Sequence, residues 1–238
     1  MALSLPDPAA KAATVRAMFD RIAPRYARLN TILTVGLDRG WRRAAVAAAA
    51  VRADDLLIDV GCGPGELAAL AVAAGARAVG VDVAPAMLAH ARGRGAMLVR
   101  ADAAALPVRS ATAQAVTCGF ALRNVVAIPS VLAEAARVLR PGGRLVLLEV
   151  ATPSRRILRW GHRLYFHHVV PLLGALLSDR QAYAYLPAST RYLPSESALR
   201  CMIERAGFVG VRLQRLGAGS VQLVSACRAA AAPREHAA

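Results

Sequence analysis

The segment Asp59-Val-Gly-Cys-Gly-Pro-Gly-Glu66 is the most informative part of this 238-residue chain for predicting its fold. It follows a short apolar run, Leu56–Val60, and precedes an alanine-rich segment of helical character. Glycines at alternate positions allow the backbone to turn sharply and to approach a ligand closely. The start of the next helix offers unpaired N–H groups and a partial positive charge. The stretch therefore predicts a strand, a ligand-binding turn and a helix.

Apolar runs and helical segments alternate along the chain after this turn. Further strands are predicted at residues 78–81, 97–100, 115–120 and 144–150, and helices at 87–94 and 131–139. Residues 195–206 have the pattern of a last helix, and residues 209–215 and 221–227 that of two paired strands. This alternation predicts an α/β fold, in which helices cover both faces of a seven-stranded, largely parallel sheet.

The regions on either side of the alternation have a different composition. Residues 1–52 are predicted to be helical, with helices at 15–26 and 41–51. Residues 151–194 are rich in aromatic residues, histidine and proline, and we expect them to form an inserted cap after the fifth strand. We expect a single domain at 1–228, with a cofactor-binding core at 53–150, the last helix and strand pair at 195–228, and a flexible tail at 229–238.

The net charge of +15 comes almost entirely from arginine, because Lys11 is the only lysine among 30 basic residues. This balance favours contact with anionic surfaces, either phospholipid or nucleic acid. The sequence has neither an RNA-binding module nor a run of basic residues, and only 5% of it is aromatic, so we expect no nucleic-acid partner.

Cysteine usage and the N-terminal sequence bear on the compartment. The four cysteines lack paired spacing, which argues against a bound metal or a disulfide framework, and no signal-peptide pattern precedes residue 12. We therefore expect a cytoplasmic protein. The most apolar window, residues 157–177, is interrupted by arginines, histidines and a proline, so it does not read as a membrane span. It is either a helix that packs over the sheet or a peripheral membrane contact flanked by arginines.

The next aspartate along the chain sharpens the meaning of the glycine-rich turn. Asp82 ends the predicted second strand, 17 residues after Gly65, where a carboxylate can accept both hydroxyls of an adenosine ribose. It can also act as a helix N-cap before Pro85, and the two roles are compatible. The spacing Gly61-x-Gly63-x-Gly65 is one residue tighter than the dinucleotide-binding pattern, which argues against a nicotinamide-dependent oxidoreductase.

This tighter pattern resembles the glycine loop of S-adenosylmethionine-dependent methyltransferases. The pair Asp102-Ala103 matches the place where those enzymes hold the adenine amino group, although Asp102 is also a reasonable solvated turn residue. The stretch Leu139-Arg-Pro-Gly-Gly-Arg144 matches their usual lead into the fifth strand. The resemblance implies a Rossmann-like class I methyltransferase fold and S-adenosyl-L-methionine as the cofactor.

Three further stretches resemble the ubiquinone/menaquinone biosynthesis C-methyltransferase family. They are Phe19-Asp-Arg-Ile-Ala-Pro-Arg-Tyr-Ala-Arg-Leu-Asn30, Gly119-Phe-Ala-Leu-Arg-Asn-Val125, and the segment from Tyr165 through Tyr183-x-Tyr-Leu-Pro-x-Ser-x-Arg191. The resemblance implies methylation of a lipid-tailed quinol, demethylmenaquinol first and a benzoquinol second. It implies cofactor contacts at Pro64, Asp82, Asp102, Ala103 and Gly119, besides the glycines of the turn.

The resemblance also implies that Arg123 and Asn124 face the acceptor. A quinol carbon becomes nucleophilic when a neighbouring hydroxyl loses its proton, so the site needs a base or a cation that stabilises the phenolate. A guanidinium stays protonated at neutral pH, so we expect Arg123 to stabilise the phenolate or to orient a water. The alternative for Arg123 is a structural salt bridge.

The cap supplies the remaining candidates. His167 and His168 are alternative bases, and Tyr183, Tyr185 and Arg191 are candidates for shaping the acceptor pocket, with packing within the cap as the alternative. The chain departs from the usual family pattern at Pro64 and after Glu149, so another phenolic or small-molecule acceptor stays open. A homodimer is compatible with the sequence.

Overall fold

A seven-stranded sheet forms the centre of the computed structural model, which describes residues 8–177 and 179–230. The strands follow the order β3-β2-β1-β4-β5-β7-β6 across the sheet. Their bounds are β1 Leu56–Val60, β2 Arg77–Asp82, β3 Met97–Arg100, β4 Ala113–Gly119, β5 Leu139–Val150, β6 Phe208–Leu216 and β7 Val221–Arg228. The predicted seven-stranded α/β sheet is confirmed.

The directions of the strands indicate at which edge of the sheet a ligand would bind. β1 pairs in parallel with β2 and with β4, and β4 pairs in parallel with β5. β7 runs antiparallel to both of its neighbours, β5 and β6, so the two last strands are paired as predicted. The order of the parallel strands reverses between β1 and β4, and open α/β sheets bind ligands at the carboxyl ends of the strands beside such a reversal.

Nine α-helices lie within the described residues. They are α1 Pro8–Leu33, α2 Leu37–Ala49, α3 Glu66–Ala73, α4 Pro85–Ala91, α5 Ile128–Val138, α6 Arg156–Leu164, α7 Val170–Leu177, α8 Arg180–Ser189 and α9 Glu196–Arg205. α1 runs seven residues past the predicted end at 26, since it continues through Pro24 and stays regular to Leu33. The Ser195 hydroxyl accepts a hydrogen bond from the Ala198 N–H and so caps α9.

Apolar side chains pack on both faces of the sheet. One layer joins α5 and α9 to the sheet through residues such as Leu132, Leu145 and Ile203. The other layer joins α2 and α3 to it through residues such as Leu57 and Leu67. Alanine fills many positions of the second layer, which lets its helices lie close to the strands.

The cap after β5 is helical. α6 continues through a π-helical turn, Tyr165–Val169, into α7, and α8 follows. A third apolar cluster joins α7 and α8 to α1 and α4, so this part of the cap packs against helices and not over the sheet. Lys11 ties α1 to the loop after β4, since its Nζ donates to the Val125 carbonyl at 2.7 Å.

Two expectations concern the chain's surface and its end. Within the described residues, no helix combines the length and the apolar content needed to cross a membrane. Of the predicted tail at 229–238, Ala229 still donates a backbone hydrogen bond to Gly207, and residues 231–238 lie outside the described part of the chain.

Candidate functional site

The glycine-rich turn lies at the carboxyl end of β1, as predicted. Gly61, Gly63 and Gly65 all have positive φ angles, of 65°, 53° and 76°, which L-residues with side chains rarely adopt. A Cβ atom on Gly61 would lie 2.4 Å from the Cβ of Ala121, because the loop after β4 lies directly against this position. Glycine is therefore required at residue 61 both by conformation and by space.

Asp82 is held against the glycine turn by its own carboxylate. Its Oδ2 accepts a hydrogen bond from the Gly63 N–H at 2.8 Å, and its Oδ1 accepts one from the Ala84 N–H at 2.9 Å. Burial raises the pKa of Asp82, whereas these backbone hydrogen bonds act to lower it. The N-cap position of α4 is Ala84. Asp82 thus accepts hydrogen bonds both from the N-cap residue of α4 and from the glycine-rich turn.

A cavity of about 440 Å³, the glycine-loop cavity, opens at this edge of the sheet. Its wall contains seven of the residues predicted from the sequence: Gly61, Gly63, Asp82, Asp102, Ala103, Gly119 and Asn124. Pro64 and Gly65 lie outside the wall and are buried. A Cβ on Gly65 would lie 3.0 Å from the Cβ of Ala91, so Gly65 allows close packing between the turn and α4.

The residues of this cavity fit an adenosyl ligand. Asp82 and Asp102 are hydrogen-bond acceptors in a mostly apolar wall that includes Val81 and Met87. Asp102 is exposed, and its Oδ1 accepts from the Ala104 N–H at 2.8 Å, which fixes the side chain in a local turn. A Cβ on Gly63 would meet nothing closer than the Met87 sulfur at 4.0 Å, so the backbone there faces open space.

Helix α1 forms the remaining wall of the glycine-loop cavity, which was not predicted. The side chains concerned are those of Ala12, Val15, Arg16, Phe19 and Tyr26. The periodicity of this helix indicated packing but not a partner. The only available signal was that Phe19 and Tyr26 belong to one of the stretches that carry the family resemblance.

Arg123 is buried in the short helical turn Leu122–Asn124 after β4, with 4% of its surface exposed, and pairs with Glu149 near the end of β5. Its Nη1 also donates to the Phe120 carbonyl at 2.8 Å, and its Nε donates to the Ser189 hydroxyl at 3.2 Å. The salt bridge that was the structural alternative for Arg123 is therefore present. Arg123 nevertheless lines a second cavity, so the pairing places a fixed guanidinium at its wall.

Asn124 lies at the wall of the glycine-loop cavity. Its Oδ1 is buried and accepts no hydrogen bond from the described residues. A buried amide oxygen without a donor is unfavourable by about 1–3 kcal/mol, so such groups usually meet a ligand or water. Asn124 is thus the predicted catalytic-loop residue most directly available to a bound molecule.

The second cavity, called the cap cavity, has a volume of about 270 Å³ and lies between α1, α2 and the cap. Its wall is mostly apolar and aromatic, with Asn30, Asp38, Arg42, Arg123 and His162 among the polar groups. Tyr26 and Phe120 belong to the walls of both cavities. The two cavities therefore meet at these two rings.

Phe120 adopts a left-handed conformation, with φ of 58°, directly after β4. Its N–H donates to the Leu148 carbonyl at 2.7 Å, and its carbonyl accepts from Arg123. Its ring centroid lies 6.3 Å from that of Trp41. The ion-paired Arg123 thus holds the backbone of Phe120 between the two cavities.

The cap residues predicted to bind the acceptor are distributed differently. Tyr183 and Tyr185 are buried in the α1–cap cluster, and neither lines the two cavities. Burial raises the pKa of Tyr185 to about 12 and raises that of Tyr183 further, so neither phenol acts as a base at neutral pH. Arg191 is exposed and lies on neither wall.

The histidine candidates have separate outcomes. The side chain of His167 lies outside the described residues, and His168 is exposed in a groove along α6. His162, which was not among the sequence candidates, lines the cap cavity and stacks on Phe166 with ring centroids 5.2 Å apart. Nothing in the sequence of this arginine-rich segment distinguished His162 from its neighbours as the residue that faces a cavity.

Comparison with known proteins gives a consistent family assignment. The model of the ubiE/COQ5 methyltransferase family matches residues 8–228. The chain is 41% identical over 222 residues to the ubiquinone/menaquinone biosynthesis C-methyltransferase UbiE of Syntrophotalea carbinolica, covering 90% of this chain and 93% of that protein. It is 42% identical over 226 residues to the demethylmenaquinone methyltransferase of Roseiflexus castenholzii, covering 92% and 95%.

Solved structures share the fold. A SAM-dependent methyltransferase of Thermotoga maritima superposes with a TM-score of 0.66 at 16% identity, covering 90% of this chain and 99% of that one. Phosphoethanolamine N-methyltransferase 2 of Haemonchus contortus, solved in complex with S-adenosyl-L-methionine, has a TM-score of 0.62 at 12% identity and covers 91% and 60%. At these identities the likeness concerns the fold alone.

Proposed function

Because this chain belongs to the ubiE/COQ5 methyltransferase family and is an S-adenosylmethionine-dependent methyltransferase, we propose that it methylates a ring carbon of demethylmenaquinol. The acceptor is then a lipid-tailed naphthoquinol, and the product is menaquinol. The relatives from Roseiflexus castenholzii and Thermus thermophilus carry the name demethylmenaquinone methyltransferase, which supports this choice over a benzoquinol.

The meeting of two cavities at Tyr26 and Phe120 is the observation that carries this proposal. The glycine-loop cavity has the acceptors and the open backbone that suit an adenosyl group. The cap cavity is mostly apolar and aromatic, which suits a flat ring with a hydrocarbon tail. Two neighbouring sites of this kind can hold donor and acceptor in line for transfer, which is the main requirement for this reaction.

Residues of the glycine-loop cavity would hold the cofactor. Asp82 would accept the ribose hydroxyls, Asp102 with Ala103 would hold the adenine edge, and the turn at 61–65 would admit the amino-acid portion of the ligand. The bound cofactor supplies a methyl group already activated by a positively charged sulfur. The chain's own task is to align the acceptor carbon and to exclude water, and α1 covers the cavity for this purpose.

Two groups at the wall of the cap cavity can help the acceptor lose its proton. Arg123 presents a guanidinium held by Glu149, which stabilises a phenolate without itself accepting a proton. His162 presents an imidazole, which can accept a proton near neutral pH. We propose that Arg123 stabilises the ionised ring and that His162 is the candidate base.

The proposal is tested by incubating the protein with isotopically labelled S-adenosylmethionine and a panel of demethylated naphthoquinols, benzoquinols and simple phenols. Mass analysis is expected to show a labelled methyl group on the naphthoquinol ring. Methylation of the simple phenols alone would support the alternative function, a methyltransferase for another phenolic acceptor. Absence of any methylated quinol, with the cofactor bound normally in calorimetry, would refute the proposed acceptor.

The use of the cap cavity is tested separately by filling it. Leu186 lies on its wall, so Leu186→Trp is expected to raise the KM for the quinol at least about tenfold. Cofactor affinity in calorimetry should stay unchanged, which also shows that the variant is folded. Met97→Trp, at an exposed position of β3, is the matched control. An unchanged KM for the quinol in Leu186→Trp would place the acceptor elsewhere.

Contact with a membrane and assembly into a homodimer are also proposals. A prenyl tail resides in a bilayer, so the enzyme needs peripheral contact with a membrane surface to collect its acceptor. A homodimer remains a prediction, which light scattering of the purified protein can test.

A further inference from the structure

Helix α6 differs from the other helices that lie on the sheet or on α1. None of its residues is buried. Its most exposed apolar side chains are Ile157 at 85%, Trp160 at 70% and Leu164 at 48%. These three residues follow one another at spacings of three and four, so they form one stripe along the helix. An unpartnered apolar stripe of this kind marks an interaction surface.

Arginines lie beside this stripe. Arg155, Arg156, Arg159 and Arg163 are all exposed, and residues 154–177 contain no aspartate or glutamate. Among the described residues, none of these four arginines pairs with a carboxylate. Arg156, Arg159 and Arg163 form a groove with Trp160, Leu164 and His168. The surface therefore combines uncompensated positive charge with an interfacial tryptophan.

A second exposed apolar group lies next to α6. The turn between α1 and α2 exposes Val35 at 84% and Leu37 at 56%, and both residues also line the cap cavity. The Tyr165 hydroxyl, just after α6, donates to the Leu33 carbonyl at 2.7 Å and so fixes this turn to the cap. The wall of the cap cavity thus includes this exposed turn, at Val35 and Leu37, and α6, at His162.

We infer that α6 docks on anionic phospholipid and, with the turn at 35–37, directs the opening of the cap cavity toward the bilayer. Positive charge without acidic neighbours favours anionic headgroups, and tryptophan favours the boundary between headgroups and acyl chains. A second copy of the chain would place the same arginines against each other, which is unfavourable. The inference rests on the proposed function for the route of the acceptor, because a tail in the membrane would enter through this opening.

Vesicle flotation tests the inference with the full-length protein. We expect binding to phosphatidylcholine vesicles that contain phosphatidylglycerol, little binding to pure phosphatidylcholine, and release by high salt. The double variants Arg156→Glu/Arg163→Glu and Ile157→Ser/Trp160→Ser should each lower binding at least about tenfold. Arg159 is left intact because it donates to the Pro153 and Ser154 carbonyls at the start of α6.

Matched variants far from α6 control for net charge and apolar content. Arg205→Glu/Arg212→Glu makes the same charge change at exposed positions of α9 and β6, and Met97→Ser/Val209→Ser makes a similar apolar change on β3 and β6. Both should bind vesicles like the parent. Equal loss of binding in these controls, or no loss in the α6 variants, would overturn the inference, as would dimerisation of the parent that Ile157→Ser/Trp160→Ser abolishes.

Activity on two acceptors separates this inference from the proposed function. The α6 variants should methylate a short-tailed, water-soluble demethylated quinol at the parent's rate, and should lose most activity on a long-tailed quinol presented in anionic vesicles. Loss of both activities in the folded variants would overturn the docking role. If the parent methylates no quinol but the vesicle results hold, the proposed acceptor fails and the docking surface stands.

Discussion

The Oδ2 atom of Asp82 accepts a hydrogen bond from the backbone N–H of Gly63 at 2.8 Å, which joins the end of β2 to the turn after β1 at the wall of the glycine-loop cavity. This contact aligns the carboxylate and the turn before any ligand arrives. A cofactor that contacts both therefore meets groups whose positions are already fixed, which lowers the entropic cost of binding.

Asp82→Asn is expected to weaken S-adenosylmethionine binding by about 10- to 100-fold, because charged hydrogen bonds contribute roughly 1.5–3 kcal/mol. Calorimetry on the purified variant measures this directly. Asp54→Asn, at an exposed position before β1, is the control and should bind like the parent. Unchanged affinity in Asp82→Asn would remove Asp82 from the cofactor site.

Two glycines of the turn should respond differently to the same substitution. Gly61→Ala introduces both a left-handed alanine and a Cβ contact of 2.4 Å with Ala121, so it should destabilise the protein by about 2–4 kcal/mol. Gly63→Ala has a similar φ but open space, so its cost should be about 1 kcal/mol. Thermal unfolding of the ligand-free variants measures the difference, and equal melting temperatures would contradict the crowding at residue 61.

The Arg123–Glu149 pair should act on catalysis through position and charge. Arg123→Lys keeps the positive charge but cannot maintain the separate contacts with Phe120 and Ser189. We expect turnover to fall at least about tenfold while cofactor affinity stays unchanged, since Arg123 lines the cap cavity and neither member of the pair lines the glycine-loop cavity. Steady-state kinetics with calorimetry on the same preparation separates these effects. Undiminished turnover in Arg123→Lys would leave the pair a purely structural role.

Stability should depend on pH through Asp59. Burial raises the pKa of this carboxyl group to about 7, although the Thr117 hydroxyl that donates to it at 2.7 Å acts in the opposite direction. The unfolded chain releases this proton near pH 4, so the folded state holds the extra proton between about pH 4 and 7. The stability contribution is therefore complete below about pH 4 and is lost as pH rises to about 7.

Asp59→Asn removes this dependence and should stabilise the ligand-free protein above about pH 7, by at most about 4 kcal/mol. Chemical denaturation at about pH 5 and about pH 8 measures the change, as the difference between parent and variant. Asp54→Asn again serves as the exposed control. A parent–variant difference that does not increase with pH would show that Asp59 is ionised in the folded protein.

Local sequence patterns were sufficient for the sheet and for the part of the glycine-loop cavity that the turn and Asp82 form, but not for its wall on α1. β1, β2 and β4 end at or just before a glycine or an aspartate, and ligand contacts at such ends follow from the parallel arrangement. Gly63 and Asp82 were therefore identifiable from their spacing alone. Their hydrogen bond follows because β1 and β2 are neighbours that end at the same edge.

The cap cavity could not be predicted in the same way. Its wall combines Tyr26, Trp41, Phe120 and Phe166, which lie on four segments with no shared periodicity. The tyrosines at 183 and 185 carried the stronger sequence signal, yet they face the apolar cluster on α1. Which face of a cap helix meets the ligand is decided by packing between helices, and a single helical repeat does not encode it.

The position of Phe120 between the two cavities has a consequence for how donor and acceptor affect each other's binding. Its ring is shared by both cavities, so either ligand restricts the ring that the other must contact. Immobilising a shared side chain is required only once, and the molecule that binds second meets it already immobilised. Donor and acceptor should therefore bind with positive cooperativity. Release of one product should lower the affinity of the protein for the other.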